Sequence, residues 1–159
     1  TNELINATWD EFDLKNATWE IPGWRMKMKN PHIVPLSRQV VALLKEQKEE
    51  TGHLNTNWVF PSQVRPRDPM SNNTILFAIG RMGYKGRMTG HGFRALAMSN
   101  IKEKLGYRHE VVDRQLAHAH RNKIDSAYDR AQFLTERRKM MQQWADYIDK
   151  LASKQKSKK

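Results

Sequence analysis

The chain of 159 residues contains no cysteine, which excludes disulfides, zinc-thiolate sites and thiol nucleophiles together. No apolar run approaches the ~20 residues needed to cross a bilayer. The opening TNELINATWDEF has neither a basic n-region nor an apolar h-region, so no signal peptide is expected. These absences fit a reducing, cytoplasmic setting. Neither a carboxylate cluster nor a His-Glu helical motif occurs, so no metal or other cofactor is expected. Acidic residues are scarce as well. Asp+Glu 17 against Lys+Arg 28 leaves a net charge of +11 and a pI near 10.0. A hydrophobic fraction of 38% and a mean hydropathy of -0.82 describe a very polar surface. A chain this basic points to a polyanionic partner, usually nucleic acid. An acidic membrane fits less well, because no helix sets a Lys/Arg face against a bulky apolar one.

What is present reads as one mainly α domain with a small three-stranded antiparallel sheet. Residues 3–14 begin as the end of a helix and turn into a strand over Trp9 to Leu14. TWEIP and HIVPL are two further strands, rich in β-branched and aromatic residues. The connection GWRMKMKN is a strongly basic hairpin. SRQVVALLKEQKEETG has a serine cap, apolar Val40, Val41, Leu43 and Leu44, and a glycine stop. VFPS reads as a short buried plug, and Ser71 or Asn72 caps a helix running through Ile79. GRMGYKGRMTGHG reads as a basic loop, HEVVDRQLAH as a short helix. The last helix is amphipathic, with Met141, Trp144, Ala145, Ile148 and Leu151 on one face. Residues 1–152 form the domain, and 153–159 (SKQKSKK) a frayed, solvated, basic tail.

The stretch GHGFRALA places His91 and Arg94 in the first turn of a predicted helix that ends at Gly106. Cations there oppose the helix macrodipole. An anion docked on both side chains and on the free backbone N–H groups would resolve that conflict. Tyr128 follows in SAYDRAQFL. A tyrosine hydroxyl has a pKa of about 10, and nearby positive charge lowers it. Arg94, His91, His118 and a hairpin lysine would supply that charge. The same cations would stabilise a pentavalent phosphorane, so the set suits phosphoryl transfer through a covalent protein intermediate.

HGFR, QLAH and AYDRAQFL, in that order, resemble the signature boxes of tyrosine recombinases, the phage-integrase family. The upstream ELINATWDEFDL, WEIP and RMKMKNPHIVPLS are similar to the sheet and basic hairpin of prophage and genomic-island integrases of the satellite-phage type. The resemblance covers nearly the whole chain and corresponds to the catalytic domain. It implies that Tyr128 attacks a DNA phosphodiester, leaving a 3′-phosphotyrosyl link and a free 5′-hydroxyl. It implies Arg94 as a fork on the non-bridging oxygens, His91 in general acid–base work or phosphate binding, and His118 in hydrogen bonding to the phosphate. Lys27 matches the hairpin lysine that protonates the leaving 5′-oxygen, with Lys29 its rival. His120 matches no catalytic position. Double-stranded attachment-site DNA, a multimer on that DNA, and accessory DNA-bending or directionality proteins are the partners implied. A nucleoid association follows when DNA is bound.

One departure stands out. The family's first arginine lies three residues before a glutamate, and here that glutamate is Glu3, so the arginine would precede Thr1. The chain as given is therefore expected to lack the extreme amino-terminal part of the domain and to be inactive. Two other readings use the same residues: a type IB topoisomerase-like enzyme, and a DNA-binding module without catalysis. The order His91, Arg94, His118, Tyr128 argues against the second, because binding alone needs no nucleophile.

Overall fold

The computed structural model describes residues 1–117 and 133–156. Three short strands, β1 (Phe12–Asp13), β2 (Thr18–Ile21) and β3 (His32–Pro35), form an antiparallel meander in the order β1-β2-β3. The first turn is held by Asp13, whose carboxylate accepts from the Asn16 backbone N–H at 2.9 Å and its side-chain amide at 2.6 Å. Phe12 and Trp19 are register partners, and their rings stack at 5.2 Å with planes 9° apart.

The expected strand over Trp9 to Leu14 is much shorter. Trp9–Glu11 is a 3-10 turn, and only Phe12–Asp13 pairs with β2. The cause lies upstream: Trp9 donates its N–H to the Asn57 carbonyl at 2.9 Å, and Thr8 bridges Trp58. The chain must then turn to bring the Trp9 ring edge-on to Phe12 at 6.2 Å.

The first half of the chain also forms α1 (Asn2–Ile5), α2 (Arg38–Thr51) and α3 (Asn72–Ile79). Ser37 caps α2 by accepting from Val40 N–H, and Ser71 caps α3 by accepting from Asn73 N–H. Gly52 does not stop α2 in a left-handed conformation; it opens a 3-10 turn to Leu54, and Asn55 at φ 46° ends it. Of the four apolar residues named in α2, only Leu44 is buried, while Leu43 is 62% exposed. Val59 is the plug: its N–H donates to the Ala7 carbonyl at 2.9 Å, and Ala7, Leu44 and Val59 form one core with Trp9, Phe12, Leu14, Trp19, Leu36 and Phe60 around them.

The basic stretch after α3 is not all loop. Gly80–Tyr84 continues as a wide π-type turn before Gly83, at φ 82°, breaks it. Next come α4 (Gly90–Leu105), closed by Gly106 at φ 71°, and α5 (His109–Gln115). The last helix, α6 (Leu134–Lys156), continues four residues into the stretch expected to fray. Ile101, Val111, Val112 and Met140 make a second core, joining α4, α5 and α6. Met141 and Trp144 pack against it, whereas Ile148 (46%) and Leu151 (48%) are exposed. Among the described residues no helix is long and apolar enough to cross a membrane.

The two cores meet along a polar seam. Arg137 of α6 donates to the Ile33 carbonyl of β3 at 2.6 Å, and His32 Nε2 lies 3.1 Å from the Gln115 carbonyl of α5. Farther out, Gln142 accepts from the Arg38 N–H at 3.0 Å, and Gln39 donates to Asp146 and Asp149 at 2.8 and 2.9 Å.

Candidate functional site

Thr89 caps α4, its hydroxyl accepting from the Gly92 N–H at 3.0 Å. Arg94 follows within the first turns, half-buried. Its position against the helix dipole is offset by the neighbouring helix. The Arg94 Nη2 donates to the Leu116 carbonyl, immediately past Gln115 at the end of α5. Helix C-termini carry unsatisfied carbonyls and partial negative charge, so a guanidinium is favoured there. Glu3 lies close enough to feel the same charge. Burial works to raise its carboxyl, but its own backbone N–H, the α-amino group and Arg94 hold it below the ordinary value. One bond to Leu116 uses one of five N–H donors, so the fork retains donors for an anion.

His91 sits one turn earlier and is exposed. It lines a cavity of about 250 Å³ with Thr1, Asn72, Ile75, Leu76 and Gly90. Arg94 and His91 thus share the start of α4, as the sequence predicts.

The basic hairpin is fastened from below. Arg25, in the 3-10 turn Gly23–Arg25, is ion-paired with Glu11, and their side chains are only 7% and 8% exposed. The second Glu11 oxygen accepts from Trp19 Nε1 at 2.8 Å, and Arg25 also donates to the Glu3 carbonyl at 2.6 Å. A Cβ on Gly23 would lie 2.4 Å from the Lys29 carbonyl oxygen, so only glycine fits that approach. The Lys29 N–H donates to the Met26 carbonyl at 2.9 Å, which puts Lys27 and Met28 at the tip. Lys27 and Lys29 are both exposed, and Lys29 adopts φ 56°. Arg25 therefore ties the lysine-bearing hairpin to α1, whose Glu3 carboxyl feels the charge of Arg94. His118, His120 and Tyr128 lie outside the described residues.

Pattern reading misses the buried polar group beside Arg94. His32 is 6% exposed and Arg137 is 1% exposed. Arg137 Nε donates to the Gln115 side-chain oxygen at 2.9 Å. Burial first, then the charges of Arg137, Arg114 and Arg94, push the His32 pKa down to about 4 against the bond to Gln115. One signal for Arg137 was in the sequence: it stands four residues before Met141 and seven before Trp144, on the apolar stripe of α6.

The sequence matches the phage integrase family over residues 1–134. The chain belongs to that family. Family members similar to it include the prophage integrase IntA of Escherichia coli (strain K12), 38% identical over 146 residues, which are 92% of this chain and 35% of that protein. The integrase of Enterobacteria phage P4 is 40% identical across 94% of this chain and 37% of its own length. Prophage integrase IntZ of Escherichia coli (strain K12) is 39% identical across 95% of this chain and 37% of its own length. The chain thus spans little more than a third of these phage integrase relatives. No solved structure matches it significantly.

Proposed function

We propose that the chain is the catalytic domain of a site-specific DNA recombinase that works through a tyrosine nucleophile. The observation that carries this is Arg94: a cation at a helix start, fastened to the Leu116 carbonyl two residues before His118. That anchor fixes the guanidinium where the chain sets out toward His118 and Tyr128, and its remaining donors suit a phosphodiester.

In the proposed reaction the Tyr128 oxygen attacks the scissile phosphorus and its proton passes to a base, with His91 and His118 the candidate acceptors. Arg94 and His118 hold the non-bridging oxygens while charge builds on them. The bond from phosphorus to the 5′-oxygen breaks, and Lys27 at the hairpin tip protonates that oxygen. A 5′-hydroxyl from the partner strand then attacks the phosphotyrosine and releases the tyrosine. Every step moves protons and one phosphoryl group, and none needs a redox partner.

The substrate is double-stranded attachment-site DNA, which places the protein with the nucleoid in the cytoplasm. Assembly as a multimer on DNA agrees with the exposed Ile148 and Leu151 of α6. Accessory DNA-bending or directionality proteins would act on that assembly. The test is Tyr128→Phe in the full-length protein. Covalent protein–DNA adduct should vanish while binding stays nearly intact. An adduct in that variant, or a wild-type adduct mapping to Tyr84, Tyr107 or Tyr147, would refute the assignment.

A further inference from the structure

Gln115 is the last residue of α5, and Leu116 directly follows it. Three elements hold these two residues through side chains. From β3, His32 reaches the Gln115 carbonyl at 3.1 Å. From α6, Arg137 reaches the Gln115 side-chain oxygen at 2.9 Å. From α4, Arg94 reaches the Leu116 carbonyl. A carbonyl only accepts, so His32 must carry its proton on Nε2 to make its bond. Arg137 closes the link by donating to the Ile33 carbonyl, next to His32 in the strand.

β3 is also one leg of the hairpin that presents Lys27, and α4 presents Arg94 and His91. The sheet half and the helical half of the molecule therefore exchange their register through a histidine and an arginine that are both almost wholly buried. Buried polar groups in such a place are costly unless satisfied, and specific when they are.

We propose that His32, together with Arg137, is a positioning residue: it locks the end of α5 against β3 and so sets the Lys27 hairpin relative to Arg94. This rests on the recombinase reading above. It goes beyond that reading, because neither side chain need touch DNA. A shift of about 1 Å in a reacting group can cost roughly a hundredfold in rate, so a loosened seam reads out in chemistry before binding.

The test is single-turnover cleavage of a suicide attachment site by the full-length protein, with DNA affinity measured in parallel. His32→Phe keeps ring volume but has no donor, whereas His32→Gln retains an N–H near the Nε2 position. With Phe, cleavage should fall about tenfold or more while affinity stays within about twofold. With Gln, most of the rate should return. Wild-type cleavage by His32→Phe, alongside an inactive Arg94→Ala, would overturn the proposal, as would loss of rate and affinity by the same factor. A ring-nitrogen NMR measurement on unmutated protein covers the case in which the Phe variant does not fold. Neutral His32 with the proton on Nε2 is expected at neutral pH, and the Nδ1 tautomer would overturn the proposal. Wild-type protein that forms no adduct would instead sink the recombinase reading, and the tautomer measurement would still decide the seam.

Discussion

Acidification should loosen the seam at a pH where carboxylates are still charged. His32 has its pKa pushed down to about 4 from an ordinary 6.5, by burial and by Arg137, Arg114 and Arg94. The unfolded chain thus takes up a proton on this ring at a higher pH than the folded one does. Stability from the neutral buried ring is fully present above the unfolded value, and it drains away as pH falls from 6.5 towards 4. A shift of this size corresponds to about 3 kcal/mol over the whole window, of which about 2 kcal/mol falls between pH ~7.5 and ~5. For a domain whose total stability is on the order of 5–15 kcal/mol, that loss is large. Urea unfolding at several pH values, on wild type and His32→Gln, isolates it, because the other histidines and the acids titrate alike in both. The wild type should lose about 2 kcal/mol more than the variant across that range. Parallel pH profiles for the two proteins would refute the argument, and so would a wild type that loses its stability only below pH ~4, where carboxylates titrate.

The exposed Arg65, Arg67, Lys85 and Arg87 should make DNA binding steeply salt-dependent, with log affinity falling by roughly 0.9 per neutralised phosphate for each decade of salt. A nearly flat titration would argue against phosphate contacts. Lys27→Ala should lose cleavage and regain it on DNA with sulfur at the 5′-bridging position, because a thiolate leaves unprotonated; Lys29→Ala should need no such substitution. The reverse pattern would assign the general acid to Lys29. Removing α6 from Leu134 onward should unfold the domain, since it takes away buried Met140 and Arg137. Changing Ile148 and Leu151 to lysine should leave the melting temperature unchanged and weaken assembly on DNA by native gel. Full assembly in that double variant would exclude this face as the contact.

Local signals in the sequence were specific where one residue decides the backbone. Ser37 and Ser71 cap the helices that they precede, and Gly106 closes α4 in the left-handed conformation that it alone accepts easily. Periodicity also located a packed stripe on the first half of α6 through the partly buried Met141 and Trp144, but missed Met140, which is wholly buried beside them. It could not say that Ile148 and Leu151 emerge from the core, because a stripe continues in sequence whether or not the partner surface does. The strand over Trp9 to Leu14 failed for a similar reason. Its β-rich composition is local, while the bond from Trp9 to Asn57 that turns the chain is not.

The candidate site divides along the same line. His91 and Arg94 lie on one helical turn, so spacing alone puts them together. What holds Arg94 comes from Leu116, far away in sequence, and what grips Gln115 beside that residue comes from β3 and α6. Glu11 and Arg25 illustrate the point further: fourteen residues apart and with side chains almost wholly buried, they fasten the hairpin to the Trp9–Glu11 turn, yet each reads as an ordinary surface charge. In a chain with a net charge of +11 the default for any single arginine is solvent. Arg25 and Arg137 depart from it because main-chain carbonyls and one carboxylate or amide meet their donors. Breaking either set would strip partners from a buried cation, at a cost well above that of losing a surface pair. Such groups are therefore able to fix a register that apolar packing, which tolerates sliding, would leave loose.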